Sequence, residues 1–193
     1  MPNKVRFGLK KAYYSVVTMN ANNVPSFGTP KRLPGAVSLT LDSNAEQEIF
    51  YADDIAYYIA SANNGYDGTL ELALIPEDFE KDCLGVTEDN DGLLVETASD
   101  SGSYFALLFE FTGDVKAIRH CLYYCKASRG SIEGETKGET AEVKTEELTF
   151  KASPLPDSEI IKAKTGESTD SIRYNAWYTS VTLPDLSTDL DGE

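Results

Sequence analysis

The sequence predicts a mainly β fold, and three observations carry that reading. Apolar and polar residues alternate with a period of two through most of the chain. The apolar runs are short and rich in Val, Ile, Tyr, Phe and Thr, and turn residues interrupt them at roughly eight to fifteen positions. Strands are expected over Ala12 to Thr18, whose residues are mostly aromatic or β-branched, and over Ala36 to Leu41, where Val, Leu and Leu alternate with Ser and Thr. Glu46 to Tyr51 and Ile55 to Ala60 follow, then Thr69 to Ile75, again alternating, and Leu93 to Thr97. The clearest hairpin joins Tyr104 to Thr112 through Gly113-Asp114 to Lys116 to Lys126, and the run from Asn63 to Gly68 reads as a second tight connection. Glu146 to Ala152, Glu159 to Lys164 and Ala176 to Leu183 complete the series. One helix is expected at Pro76-Glu77-Asp78-Phe79-Glu80-Lys81, with proline and acids in its first turn and Gly85 as its stop.

Three stretches do not alternate. Residues 19–35 hold three prolines and predict a long ordered loop; residues 127–145 are almost entirely Gly, Glu, Lys, Ser and Thr and predict a protruding loop; the chain closes in an acidic arm over 184–193. The 193 residues fit a single domain with arms, the basic one covering about residues 1–11.

Charge excludes several functions. With 17 Lys plus Arg against 32 Asp plus Glu, the net charge is −15, which repels phosphate and argues against specific nucleic-acid binding. No apolar run approaches the roughly 20 residues of a membrane span. Three cysteines, no Asn-x-Ser/Thr acceptor and no leader-like start suit a protein that stays in the reducing cytoplasm of the cell that makes it. The charge is also lopsided. Residues 1–41 carry six bases (Lys4, Arg6, Lys10, Lys11, Lys31, Arg32) and no acid, while residues 42–193 carry 11 bases and 32 acids. Two readings fit: an uneven solvated surface, or a basic segment that docks head to tail on the acidic body of a neighbouring copy.

No catalytic set assembles. His120, the sole histidine, lies in an apolar strand where Ile118, His120, Leu122 and Tyr124 are expected to share one face, which predicts a structural histidine. The motifs of serine hydrolases, phosphate-binding loops, dinucleotide folds and zinc proteases are missing. Cys121 and Cys125, four residues apart on a strand, would stand about 13 Å from each other, too far for a disulfide. With only Cys83 left over, a zinc site lacks ligands, so all three read as buried small residues. Glu88-Asp89-Asn90-Asp91-Gly92 resembles part of a calcium loop, but the first and twelfth positions fall on Thr87 and Ala98, so an acidic turn is expected. No enzyme activity, cofactor or metal is expected.

In order along the chain, Val5-Arg6-Phe7-Gly8-Leu9-Lys10 before Tyr13-Tyr14, then Leu33-Pro34-Gly35-Ala36-Val37, Phe50-Tyr51-Ala52-Asp53-Asp54 before Tyr57-Tyr58, and Asn64 to Gly68 leading to Glu71 and Ile75-Pro76 form a recognisable series. It continues through Leu84-Gly85-Val86, Phe105 to Phe111 with Gly113-Asp114, and a closing strand containing Trp177. Nearly the whole chain thereby resembles the major tail protein, or tail tube protein, of long-tailed non-contractile phages of Gram-positive bacteria. The resemblance implies a β-sandwich or half-open barrel with one flanking helix, assembled as hexameric rings that stack around a tape measure protein. Tail terminator and tail initiator (distal tail) proteins would be further partners, viral DNA would pass through the lumen without specific binding, and the location would be the virion, assembled in the host cytoplasm with no membrane contact. No appended immunoglobulin-like domain is expected. A tube also needs a stacking interface that does not close. Irregular and charged segments are its natural source, which makes Lys4, Arg6, Lys10, Lys11, Lys31, Arg32, Arg129, Glu133, Glu135, Asp185 and Asp189 candidate contacts between subunits. The rival readings are the tube of a phage-tail-like bacteriocin or secretion system, and a non-enzymatic β-sandwich binding module.

Overall fold

The computed structural model describes residues 3–52, 54–130 and 144–186. Its strands are β1 (Arg6–Met19), β2 (Pro25–Phe27), β3 (Lys31–Arg32), β4 (Ala36–Ala52), β5 (Ile55–Leu72), β6 (Thr87–Glu88), β7 (Leu94–Val95), β8 (Tyr104–Gly113), β9 (Ile118–Ala127), β10 (Glu146–Ala152) and β11 (Lys162–Lys164). Two short helices join them, α1 (Glu77–Phe79) and α2 (Ser171–Ala176). All but β6 and β7 belong to one antiparallel sheet of order β2-β1-β8-β9-β10-β5-β4, with β3 added to β1 and β11 to β9. The sheet curls until β1 comes against β4, so the chain adopts the mainly β fold expected from the alternation, in a sandwich-like arrangement.

The curl gives the sheet two cores. Its concave side buries Tyr14, Leu70, Leu72, Phe105, Leu107, Phe109, Leu122, Leu148 and Phe150, closed at one end by Leu33, Phe79 and Cys83. The convex side of β1, β8 and β9 buries Val17, Ala106, Leu108, Cys121 and Tyr123 beneath a C-terminal strap that includes Trp177, Tyr178, Val181 and Leu183. Central strand β8 is therefore buried on both faces over Phe105 to Glu110, which is why it reads as a continuous apolar run.

Several expectations are corrected. The strands expected at 36–41 and 46–51 fuse into β4, and those at 55–60 and 69–75 into β5. The Asn63 to Gly68 run is no turn but the middle of β5. Its glycines permit close approach: a Cβ at Gly65, which has φ +105°, would overlap the Ala152 carbonyl, and one at Gly68 would overlap the Phe150 ring. The 19–35 loop contributes β2 and β3, and residues 6–11 of the expected N-terminal arm belong to β1. Residues 159–161 lie outside β11, and of the 93–97 strand only Leu94–Val95 pairs, with β6.

The largest correction is at 176–183. Asp170 caps α2 by accepting from the backbone N–H groups of Ile172 (2.9 Å) and Arg173 (3.2 Å), so the chain is already helical when it reaches Ala176, and Trp177 closes the helix instead of sitting on a strand. A further correction concerns β9. Register passes from Leu107 opposite Leu122 to Phe105 opposite Cys125, an extra residue on β9 that turns Tyr124 away from the face of Leu122. Cys121 consequently faces the convex core and Cys125 the concave one.

Other local readings hold. Pro76 caps α1, a π-helical turn continues it over Glu80–Leu84, and Gly85 ends it in the left-handed region at φ 81°. The acidic turn is closed by Asp89, whose carboxylate accepts from the N–H groups of Asp91 and Leu93. All three cysteines are free and buried.

Candidate assembly surface

β4 and β5 pair from Ala36 opposite Leu72 to Ala52 opposite Ile55, but β10 covers β5 only from Tyr66 to Leu72. Beyond Asn63 the two strands have only each other, and β4 has no other strand partner anywhere along its length among the described residues. The hairpin thus leaves the sheet as a two-stranded ribbon. At its far end Tyr51, Ile55 and Tyr58 are each more than 60% exposed. Between residues 36 and 72 the sequence holds Asp42, Glu46, Glu48, Asp53, Asp54, Asp67 and Glu71 and no base, so the whole hairpin is anionic.

The residues singled out by charge are differently employed. Lys11 pairs with Glu110 at 3.1 Å and Lys31 with Asp82 at 2.6 Å, where the Tyr14 hydroxyl also donates. Arg129 pairs with Glu96 at 2.6 Å and donates to the Leu84 carbonyl. Arg6 lies over the Phe111 ring, 5.1 Å from its centroid, and the Lys4 backbone N–H donates to Asp114. Lys4, Lys10, Arg32 and Asp185 are exposed. Glu133, Glu135 and Asp189 lie outside the described residues, as does most of the 127–145 loop. Lys11, Lys31 and Arg129 thus each make an ion pair within the chain.

Composition and spacing did not single out Glu110. Only 4% exposed, it accepts from Arg119 Nε and the Tyr178 hydroxyl, both at 3.1 Å, besides Lys11. The Arg119 guanidinium lies over the Tyr174 ring (3.8 Å) and the Tyr178 ring (5.1 Å) and donates to the Tyr174 carbonyl. Burial and the neighbouring Glu110 charge raise the Tyr178 hydroxyl pKa well above its ordinary value, keeping it a donor. This knot pins the strap to the convex face. One sequence signal was available: Glu110 is the lone charge in an otherwise apolar run.

His120 stacks on Phe109 at 5.0 Å and 2°, with Phe111 edge-on at 5.5 Å. Burial, with Lys162, Lys164 and Arg6 nearby, lowers its pKa to about 4, so it is neutral at pH 7. Among the described residues no three His, Cys, Asp or Glu converge on a metal position, and no helix is long and apolar enough to cross a membrane. No protein-family model matches the chain, and no curated protein matches it.

Proposed function

We propose that this chain is a structural subunit of a tube: a tail tube protein of the kind found in long-tailed non-contractile phages, forming six-membered rings that stack around a tape measure protein and later convey DNA. The β4–β5 ribbon carries the reading. A two-stranded ribbon with open edges and exposed apolar side chains near its tip is stabilised when a neighbouring copy covers it, and a head-to-tail contact of that sort generates rings or open stacks. The ribbon's uniform negative charge supports the role, because an anionic wall repels the phosphate backbone and lets DNA slide where a basic wall would hold it. With Lys11, Lys31 and Arg129 in ion pairs within the chain, association led by the basic residues depends on the exposed Lys4, Arg6, Lys10 and Arg32, and the exposed Tyr51, Ile55 and Tyr58 supply an apolar contribution.

The test is self-association. Light scattering and negative-stain microscopy over a rising protein concentration are expected to give rings or striated tubes. The double variant Ile55→Asp, Tyr58→Asp is expected to remain monomeric with an unchanged thermal transition. A wild-type monomer at every concentration, even with tape measure and tail initiator proteins added, overturns the proposal, as does normal assembly of the double variant.

A further inference from the structure

Between the convex face and the C-terminal strap lies a cavity of about 340 Å3. Leu108, Cys121 and Tyr123 form its floor, and Ala176, Trp177 and Val181 its roof. Several of the polar groups around it bond to the neighbouring backbone. The Tyr123 hydroxyl donates to the Thr182 carbonyl (3.2 Å), Arg173 to the carbonyls of Thr182 (3.2 Å) and Leu183 (2.8 Å), and Asp170 holds the two N–H groups that start α2. Among the described residues no buried side-chain nitrogen or oxygen lacks a partner. Most of the wall is aliphatic or aromatic, and water in such a space finds few hydrogen bonds. At the opening stands Ile172, 78% exposed, an apolar side chain that extends the cavity wall into solvent.

We propose that this cavity is a binding site for an uncharged apolar small molecule, aromatic or alkyl. The cavity sets the size: one of about 150 Å3 lined by aliphatic and aromatic side chains takes up benzene, so this site suits a ligand about twice as large. Desolvation of the apolar walls drives binding, and the ligand's shape, not a polar anchor, selects it. The site stands apart from the ribbon and does not depend on the assembly reading.

Trp177 is the sole tryptophan and forms part of the roof, so energy transfer from it to a bound fluorophore reports occupancy directly. The full chain would be titrated with uncharged N-phenyl-1-naphthylamine, followed by competition with 1-decanol and with decanoate. Saturation at one probe per chain is expected, with displacement by decanol at lower concentration than by decanoate. Ala176→Phe and Val181→Phe fill the cavity from two different segments, and each should weaken the probe about tenfold or more. Near-UV circular dichroism establishes which variant is folded, and either one suffices because the wild-type competition stands alone. Non-saturating transfer, or undiminished affinity in a folded filled variant, overturns the proposal. So does stronger competition by decanoate, which would make Arg173 the recognising group. Exclusion of the probe together with a Trp177 emission shift that grows with protein concentration would assign the cavity to a second copy of the chain, and overturns it equally.

Discussion

Glu110→Gln tests the knot that fastens the C-terminal strap. The substitution keeps the shape and one acceptor but removes the charge from a site that is 4% exposed. Arg119, whose side chain is 11% exposed, then stays buried without its counter-ion, and breaking such a pair costs about 3–5 kcal/mol. The Lys11 side chain is 47% exposed, and its share is limited to about 0.5 kcal/mol by solvent screening. The glutamine oxygen can still accept from Tyr178 or Arg119, which returns about 1 kcal/mol. The expected net loss is about 3 kcal/mol, a large part of the stability of an ordinary domain. For a chain of 193 residues this corresponds to a Tm lower by about 6–12 °C. Urea denaturation followed by Trp177 fluorescence and by far-ultraviolet circular dichroism measures it. A cycle with Arg119→Met isolates the pair: the double variant should be more stable than the sum of the singles predicts by about 2 kcal/mol, because it leaves no buried charge. A loss below about 1 kcal/mol for Glu110→Gln, or strict additivity in the cycle, would refute the buried-pair account.

Three further outcomes are expected. His120 has a folded pKa near 4 against an ordinary 6.5, so the unfolded chain takes up the proton first and the stability His120 contributes is lost as pH falls through that interval. Between about pH 7 and pH 5 the wild type should lose about 1–2 kcal/mol more than His120→Phe, after allowance for partial exposure, as read by denaturation at each pH. Gly65→Ala, which sets a methyl group against the Ala152 carbonyl at φ +105°, should cost about 3 kcal/mol or more in thermal denaturation. Gly92→Ala, at φ +83° with its nearest neighbour 3.9 Å away, should cost about 1 kcal/mol. The three buried cysteines should react with a chromogenic disulfide reagent only after denaturation; Cys83, whose pKa burial pushes up to about 12, should be unreactive in the folded chain at pH 8.

Much of the local structure was legible because it depends on local physics. Alternation and β-branched content marked the large strands, Pro76 and Gly85 bounded the one expected helix, and the Glu88 to Gly92 run read as a turn, each through interactions within a few residues. The Asp170 cap was equally local, but the apolar run after it, Trp177, Tyr178, Val181 and Leu183, fits a strand as well as a helix followed by a packed strap. At Asn63 to Gly68 the turn residues misled, because glycine serves close backbone approach as readily as reversal, and the backbone it approaches, Ala152, lies far along the chain.

The sequence by itself determined the β class, the burial of all three cysteines and the concentration of negative charge after residue 41, since composition and period suffice for these. Only the tertiary structure decided that 36–72 is one long hairpin outreaching its sheet, that Lys11 is spent on Glu110, and that a strap roofs an apolar cavity on the convex face. Each of these depends on which segments meet across long sequence separations, and pairing at that distance is set by the register and curl of the whole sheet.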